Sequence, residues 1–129
     1  MTHFLSAQQI LFIHARLIAT TGGEHGVRDL GLLESAVARS QATFDRKEFY
    51  PDLFQKAAAL MHSLAQIHPF VDGNKRTAIT AASLFLNQNG RRLETTNEAL
   101  EQFTLLVVNE RLPLDEIASW FQSHTVLES

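Results

Sequence analysis

The chain has 129 residues, of which 45% are apolar and 19% charged, with no Cys, 6 Gly and 3 Pro. That length suits a single domain spanning 1–129, and the apolar fraction is that of a packed core rather than a disordered chain. Eleven Lys and Arg against 14 Asp and Glu give a formal charge of -3, so the broad basic face of a dedicated nucleic-acid binder is missing. The absence of Cys excludes disulfides, zinc–thiolate sites and a thiol nucleophile. The segment MTHFLSAQQILF lacks the basic start and apolar run of a secretion signal. No apolar stretch approaches the roughly 20 residues that cross a bilayer. The expectation is a cytoplasmic protein with no membrane segment.

Helical periodicity dominates. Ser6-Ala-Gln-Gln9 has the form of a capping box, and Ile10, Ile13 and Leu17 follow on one face until Gly22-Gly23. Asp29 can cap a second helix carrying Leu32, Leu33, Ala36 and Val37, with Gly31 weakening its first turn. Pro51-Asp52 opens a third, along which Leu53, Ala57, Leu60, Met61 and Leu64 form a stripe. Pro69 disfavours helical geometry at His68 and ends it there. A fourth helix is predicted from near Asp72 to Asn89-Gly90, uncharged from Thr77 onward and therefore placed in the middle of a bundle. Thr95-Thr-Asn-Glu98 resembles a capping box ahead of Leu100, Phe103, Leu106 and Val107. Pro113 precedes a last helix with Leu114, Ile117 and Phe121. Only Arg91 to Glu94 and parts of 41–50 read as extended. The fold class is all-α, a compact single-domain bundle of about six helices.

The longest connection without helical pattern is 41–50, which mixes Phe44, Phe49 and Tyr50 with Asp45, Arg46, Lys47 and Glu48. It reads either as a surface loop anchored by its aromatics or as a docking edge for a macromolecule.

Chemistry concentrates in His68-Pro-Phe-Val-Asp-Gly-Asn-Lys-Arg-Thr77, between two buried helices. A helix starting near Gly73 presents unpaired backbone N–H groups and the positive end of its dipole, a place for an anion such as phosphate. Gly73 allows close approach, Asn74 offers amide donors, and Lys75 and Arg76 add charge. Asp72 is either a helix cap or an oxygen ligand for Mg²⁺ held against nucleotide phosphates. His68 can accept a proton from an attacking hydroxyl, the general-base role that imidazole suits near neutral pH. Taken together these groups predict phosphoryl or nucleotidyl transfer.

The same stretch resembles the signature of the Fic/Doc superfamily, and closely that of the death-on-curing (Doc) toxins. The resemblance extends to Phe4-Leu-Ser6, Gly22-Gly23, the run Gly26 to Ser35, Tyr50 to Phe54 and Ala81 to Asn87. It implies a compact helical Fic/Doc fold with the motif at the start of a central helix. It also implies a toxin of a bacterial type II toxin–antitoxin system, restrained by a partner antitoxin. Fic proteins that transfer AMP have a second glycine where this chain has Lys75, and a later arginine where it has Ile79. A long cation at Lys75 and the missing guanidinium both disfavour AMP transfer. Doc-type proteins with this lysine are held to bind ATP in the reverse sense. The implied activity is therefore transfer of the γ-phosphate of ATP to a threonine of elongation factor Tu.

Carried across the motif, the resemblance implies His68 as base, Asp72 as catalytic carboxylate and Mg²⁺ ligand, Gly73, Asn74, Lys75 and Arg76 as the phosphate cradle, and Phe70 as motif anchor. Thr77 is expected to be a satisfied buried hydroxyl. Inhibitory helices of Fic proteins have a poor match in Thr20-Thr-Gly-Gly-Glu24-His25, so inhibition is expected from an antitoxin helix in a groove near the motif. Two alternatives stand beside the kinase: AMP transfer, and a non-catalytic antitoxin-binding module. His3, His14, His25, His62 and His124 lack metal-site spacing, and His14 and His62 read as packed or surface residues. At least one of Trp120 and Phe121 belongs to the core. Asp29 is read as a cap, and Arg28 as a weak candidate for reaching the site.

Overall fold

A computed structural model describes residues 1–128. Among these residues six helices account for most of the length: α1 (Ala7–Thr21), α2 (Leu30–Arg39), α3 (Leu53–Ile67), α4 (Asn74–Gln88), α5 (Asn97–Asn109) and α6 (Leu114–Ser123). Four short strands complete it: β1 (Thr43–Phe44), β2 (Lys47–Glu48), β3 (Arg91–Leu93) and β4 (Thr125–Leu127). They form two antiparallel pairs, β1 with β2 and β3 with β4. Among the described residues no helix is long and apolar enough to cross a membrane.

Side-chain chemistry sets the helix ends. Ser6 and Gln9 close a capping box on α1, Ser6 Oγ accepting from the Gln9 amide at 3.1 Å and Gln9 Oε1 from the Ser6 amide at 2.8 Å. Asp52 and Gln55 repeat that box on α3, and the Asp29 carboxylate caps α2 through the Leu32 amide. On α5 the box predicted from Thr95 and Glu98 does not form, and the cap is displaced by one residue. Thr96 is the cap, its hydroxyl accepting from the Ala99 amide at 3.1 Å. Adjacent threonines offer the same acceptor, and the packing of Leu100 and Phe103 selects the register that turns their face inward.

The centre of the bundle is α3, which packs on α2, α4, α5 and α6. Ala57, Ala58, Ala59 and Ala65 are fully buried in it, and their small side chains let the neighbouring helices approach on several sides. The sequence placed α4 in the middle. α4 does take an inner place, packed on α3, α1, α5 and β3 with its Ala78, Ala81, Ala82, Phe85 and Leu86 face buried, while Leu84 and Asn87 turn to solvent. At the far end, Trp120 stacks on Phe103 at 3.8 Å between centroids and Phe121 is fully buried.

The 41–50 segment is a small hairpin whose turn residues Asp45 and Arg46 both adopt positive φ, as the tightest hairpin turns require. Its anchoring differs in part from expectation. Phe44 and Phe49 are 74% and 58% exposed, so they do not root the loop. Tyr50 does, half-buried with Arg39 Nε donating to its hydroxyl at 3.2 Å and the guanidinium over its ring, and buried Lys56 adds to it by donating to the Tyr50 carbonyl and pairing with Glu48.

Candidate functional site

The site is built at the junction of α3 and α4. Pro69 has no N–H and cannot extend α3, and His68 leaves the helix in a left-handed conformation, φ 55 and ψ 62. Gly73, at φ 76, is the residue that opens α4. Among the described residues no side chain caps α4, which leaves its first amides free for a ligand. Asp72 is therefore not the helix cap. Its Oδ1 accepts from the Gly73 amide at 2.8 Å and its Oδ2 from the Glu24 amide at 3.1 Å. Those two bonds, the Glu24 amide first, hold the Asp72 carboxyl below the usual carboxylate range, and the nearby Arg76 charge adds to them. Asp72 is thus an anion throughout the neutral range.

Three groups hold the loop between the helices. The Asn74 amide clamps Phe70, Oδ1 accepting from its N–H and Nδ2 donating to its carbonyl, both at 3.0 Å. Phe70, buried to 1% exposure, stacks on His14 with centroids 3.8 Å apart and rings 5° from parallel. His14 is itself buried and its Nε2 lies 2.7 Å from the Asp72 carbonyl. A carbonyl only accepts, so Nε2 carries the proton and donates. The α1–α2 connection then straps the loop from outside. Val71 N–H donates to the Gly26 carbonyl at 3.1 Å, and the Arg28 and Asp29 amides donate to the Pro69 carbonyl at 2.8 and 3.1 Å.

His68, Phe70 and residues 72–76 all line one cleft of about 530 Å³, together with Arg28 and Val71. Lys75 is exposed there. The Arg76 guanidinium bonds the Thr21 hydroxyl and approaches the Gly22 carbonyl at 3.4 Å, which places its charge against the C-terminal end of α1. Thr77 is fully buried behind the cleft, but its hydroxyl has no partner among the described residues, contrary to the satisfied group expected. Beyond Lys75 and Arg76 a second, apolar groove of about 310 Å³ runs between α4 and α5, past Ile79, Leu100 and Leu105.

The donor set fits Mg²⁺ rather than a metal held by protein alone. Asp72 contributes an ionised carboxylate whose oxygens each receive one N–H and retain lone-pair capacity. Among the described residues no three His, Asp or Glu side chains converge on a metal-sized site. One carboxylate with phosphate oxygens and water is a usual Mg²⁺ environment.

Sequence reasoning read His14 only as a packed or surface residue and Arg28 only as a weak candidate for reaching the site; it gave His14 no link to the motif loop and did not find the strap from Gly23 to Val27. The available signals were a histidine on the same helical face as Ile10 and Ile13, and the Gly22-Gly23 pair, which permits close approach.

The chain is similar to known proteins over most of its length. Residues 4–86 match the Fic/DOC family model, a span that contains α1 to α3, the motif and most of α4. Toxin Doc of Mycolicibacterium smegmatis is 54% identical over 93 residues, covering 72% of this chain and 69% of that protein. Protein kinase doc of Escherichia phage P1 is 37% identical over 86 residues, covering 67% and 68%. The chain belongs to the Fic/DOC family, among its Doc toxins.

Proposed function

We propose that this chain is the toxin of a bacterial type II toxin–antitoxin pair, acting in the cytoplasm as an ATP-dependent protein kinase. Its target would be a threonine hydroxyl of elongation factor Tu, whose modification stops translation. The observation that carries the reading is the convergence of His68, Asp72 and the uncapped start of α4 in one cleft. A kinase needs little else from protein beyond positioning and charge.

ATP supplies the γ-phosphoryl group and leaves as ADP, and Mg²⁺ held by Asp72 would offset phosphate charge. His68 accepts the proton of the target hydroxyl as that oxygen bonds to phosphorus and the bridging P–O bond breaks. The free amides after Gly73, with Lys75 and Arg76, hold the phosphate oxygens. Asn74 contributes through its backbone position, since its side chain is engaged with Phe70. Lys75 and Ile79 are the features that favour γ-phosphate over AMP transfer. Lys75 brings a cation where AMP-transferring relatives have glycine, and Ile79 removes an arginine. The apolar groove between α4 and α5 would receive a helical segment of the antitoxin, ending beside Lys75 and Arg76.

The test compares γ-labelled with α-labelled ATP in a Mg²⁺ reaction with elongation factor Tu, using wild type and His68→Ala. The expected result is label from the γ position only, reduced by about 10² to 10⁴-fold in the variant. Label from the α position would replace the kinase with AMP transfer. Silence with both labels, in purified target and in whole lysate, would leave the non-catalytic antitoxin-binding module.

A further inference from the structure

We propose that Arg28 is a positioning residue for His68, locking its backbone in the left-handed turn that aims the imidazole into the cleft. The inference rests on the reading of His68 as the base. Its observation is separate: one arginine takes three successive carbonyls at the end of α3. The Arg28 guanidinium donates through Nη2 to the Ile67 carbonyl and through Nε to the His68 carbonyl, both at 2.8 Å. Its own backbone N–H donates to the Pro69 carbonyl, also at 2.8 Å.

Such a grip answers a specific strain. His68 stands at φ 55, where a residue bearing a Cβ is disfavoured and where glycine usually ends helices. The following Pro69 pushes His68 toward extended geometry, which would redirect its side chain. The last carbonyls of α3 also carry the negative end of the helix dipole, so a guanidinium is a favourable partner there. Two neighbouring N–H groups of the planar fork match two consecutive carbonyls. A lysine ammonium offers no such pair in fixed geometry.

Arg28 lines the cleft with His68, which raises the competing role of a direct phosphate ligand. Nε and Nη2 already point at the chain, so Arg28 acts through His68. The two roles differ in what they change. A phosphate ligand sets the KM for ATP; a positioning residue sets kcat.

The experiment uses the full chain with Arg28→Ala, Arg28→Lys and His68→Ala, each first shown to be folded at the assay temperature by its thermal midpoint. In the transfer assay, Arg28→Ala is expected to lose about 10²-fold in kcat, as displacement of a reacting group by about 1 Å does. Its KM for ATP should stay within about twofold of wild type. Arg28→Lys should be intermediate, and added guanidinium should restore part of the Arg28→Ala rate while leaving His68→Ala silent. Independently of transfer, ¹⁵N imidazole spectra should show the His68 ring shifted or exchange-broadened in Arg28→Ala, with His3 and His25 unchanged. An unchanged His68 signal would overturn the proposal, and so would a raised KM at constant kcat. If the wild type transfers nothing, the kinase reading falls and the spectra alone decide the role of Arg28.

Discussion

Gly23 sits at φ 113, and a Cβ there would come within 2.7 Å of Asp72 Oδ2. Gly22 beside it, at φ 89, has open space around the same added atom. Both positions disfavour an L side chain, so alanine at either is expected to cost about 1–3 kcal/mol through backbone strain. Only at Gly23 does the new methyl also press on the carboxylate proposed to hold Mg²⁺. Gly23→Ala should therefore lower stability in urea more than Gly22→Ala and abolish transfer, whereas Gly22→Ala should keep most of it. Equal losses of activity in the two variants would mean that crowding at Asp72 is not what matters.

His14 is a second residue whose role is separable. Its ring supports Phe70 by stacking, and its Nε2–H satisfies the Asp72 carbonyl. His14→Phe keeps a flat ring under Phe70 and removes the donor. Leaving a half-buried carbonyl unpaired costs about 1–3 kcal/mol. The expected outcome is a destabilised chain by urea denaturation with the motif loop loosened, read as faster amide exchange at Gly73. A stability equal to wild type would show that water replaces the histidine at no cost.

Among elements, the α2–α3 contact carries a pH dependence of known sign. Arg39 Nη1 donates to His62 Nδ1 at 2.8 Å and to Ser63 Oγ at 3.0 Å. Burial, and then the Arg39 charge, lowers the His62 pKa from its ordinary 6.5. As pH falls the unfolded chain takes up the proton first, so the unfolded state gains. The contribution of the neutral ring is complete above pH 6.5 and is lost as pH drops from there through the folded value. His62→Gln preserves an acceptor for Arg39 and cannot titrate. Urea midpoints on either side of pH 6.5 should therefore differ less in the variant than in wild type. An identical pH response would place the acid sensitivity elsewhere.

The same element scale explains which parts were legible beforehand. All six helices follow from apolar periodicity and from caps such as Ser6, Asp29 and Asp52, because both signals lie within one or two turns of chain. The shift from Thr95 to Thr96 arose where two equivalent caps adjoin and packing chooses. β4 has three residues, too few for an alternating pattern, and exists because β3 offers it an edge. In 41–50, Tyr50 is an anchor while Phe44 and Phe49 are not, and Lys56, six residues beyond Tyr50, secures the segment from inside α3.

At the scale of the whole molecule, the site divides into what one stretch encodes and what the fold assembles. His68 to Arg76 are contiguous, so their shared cleft was readable from spacing alone. The strap is not contiguous with them. Glu24 meets Asp72 across 48 positions, and Arg28 meets His68 across 40. Nothing local in 23–29 specifies those partners; they follow from α1 and α2 both packing against the α3–α4 layer.

This assembly predicts a shared opening. The Val71 amide bonds the Gly26 carbonyl and the Asp29 amide bonds the Pro69 carbonyl, one donor from each side of the seam. Neither bond survives if strap and loop separate, so both amides should exchange with solvent at the same opening free energy. The hairpin amide of Phe49, bonded to Ala42 at an exposed edge, should open independently and faster. Gly23→Ala, which strains the seam, should speed Val71 and Asp29 by a common factor and leave Val107 in the buried face of α5 unchanged. Hydrogen exchange followed residue by residue reads all four at once. Unequal acceleration of Val71 and Asp29 would mean that loop and strap move separately, and that the geometry of His68 is held by α3 alone.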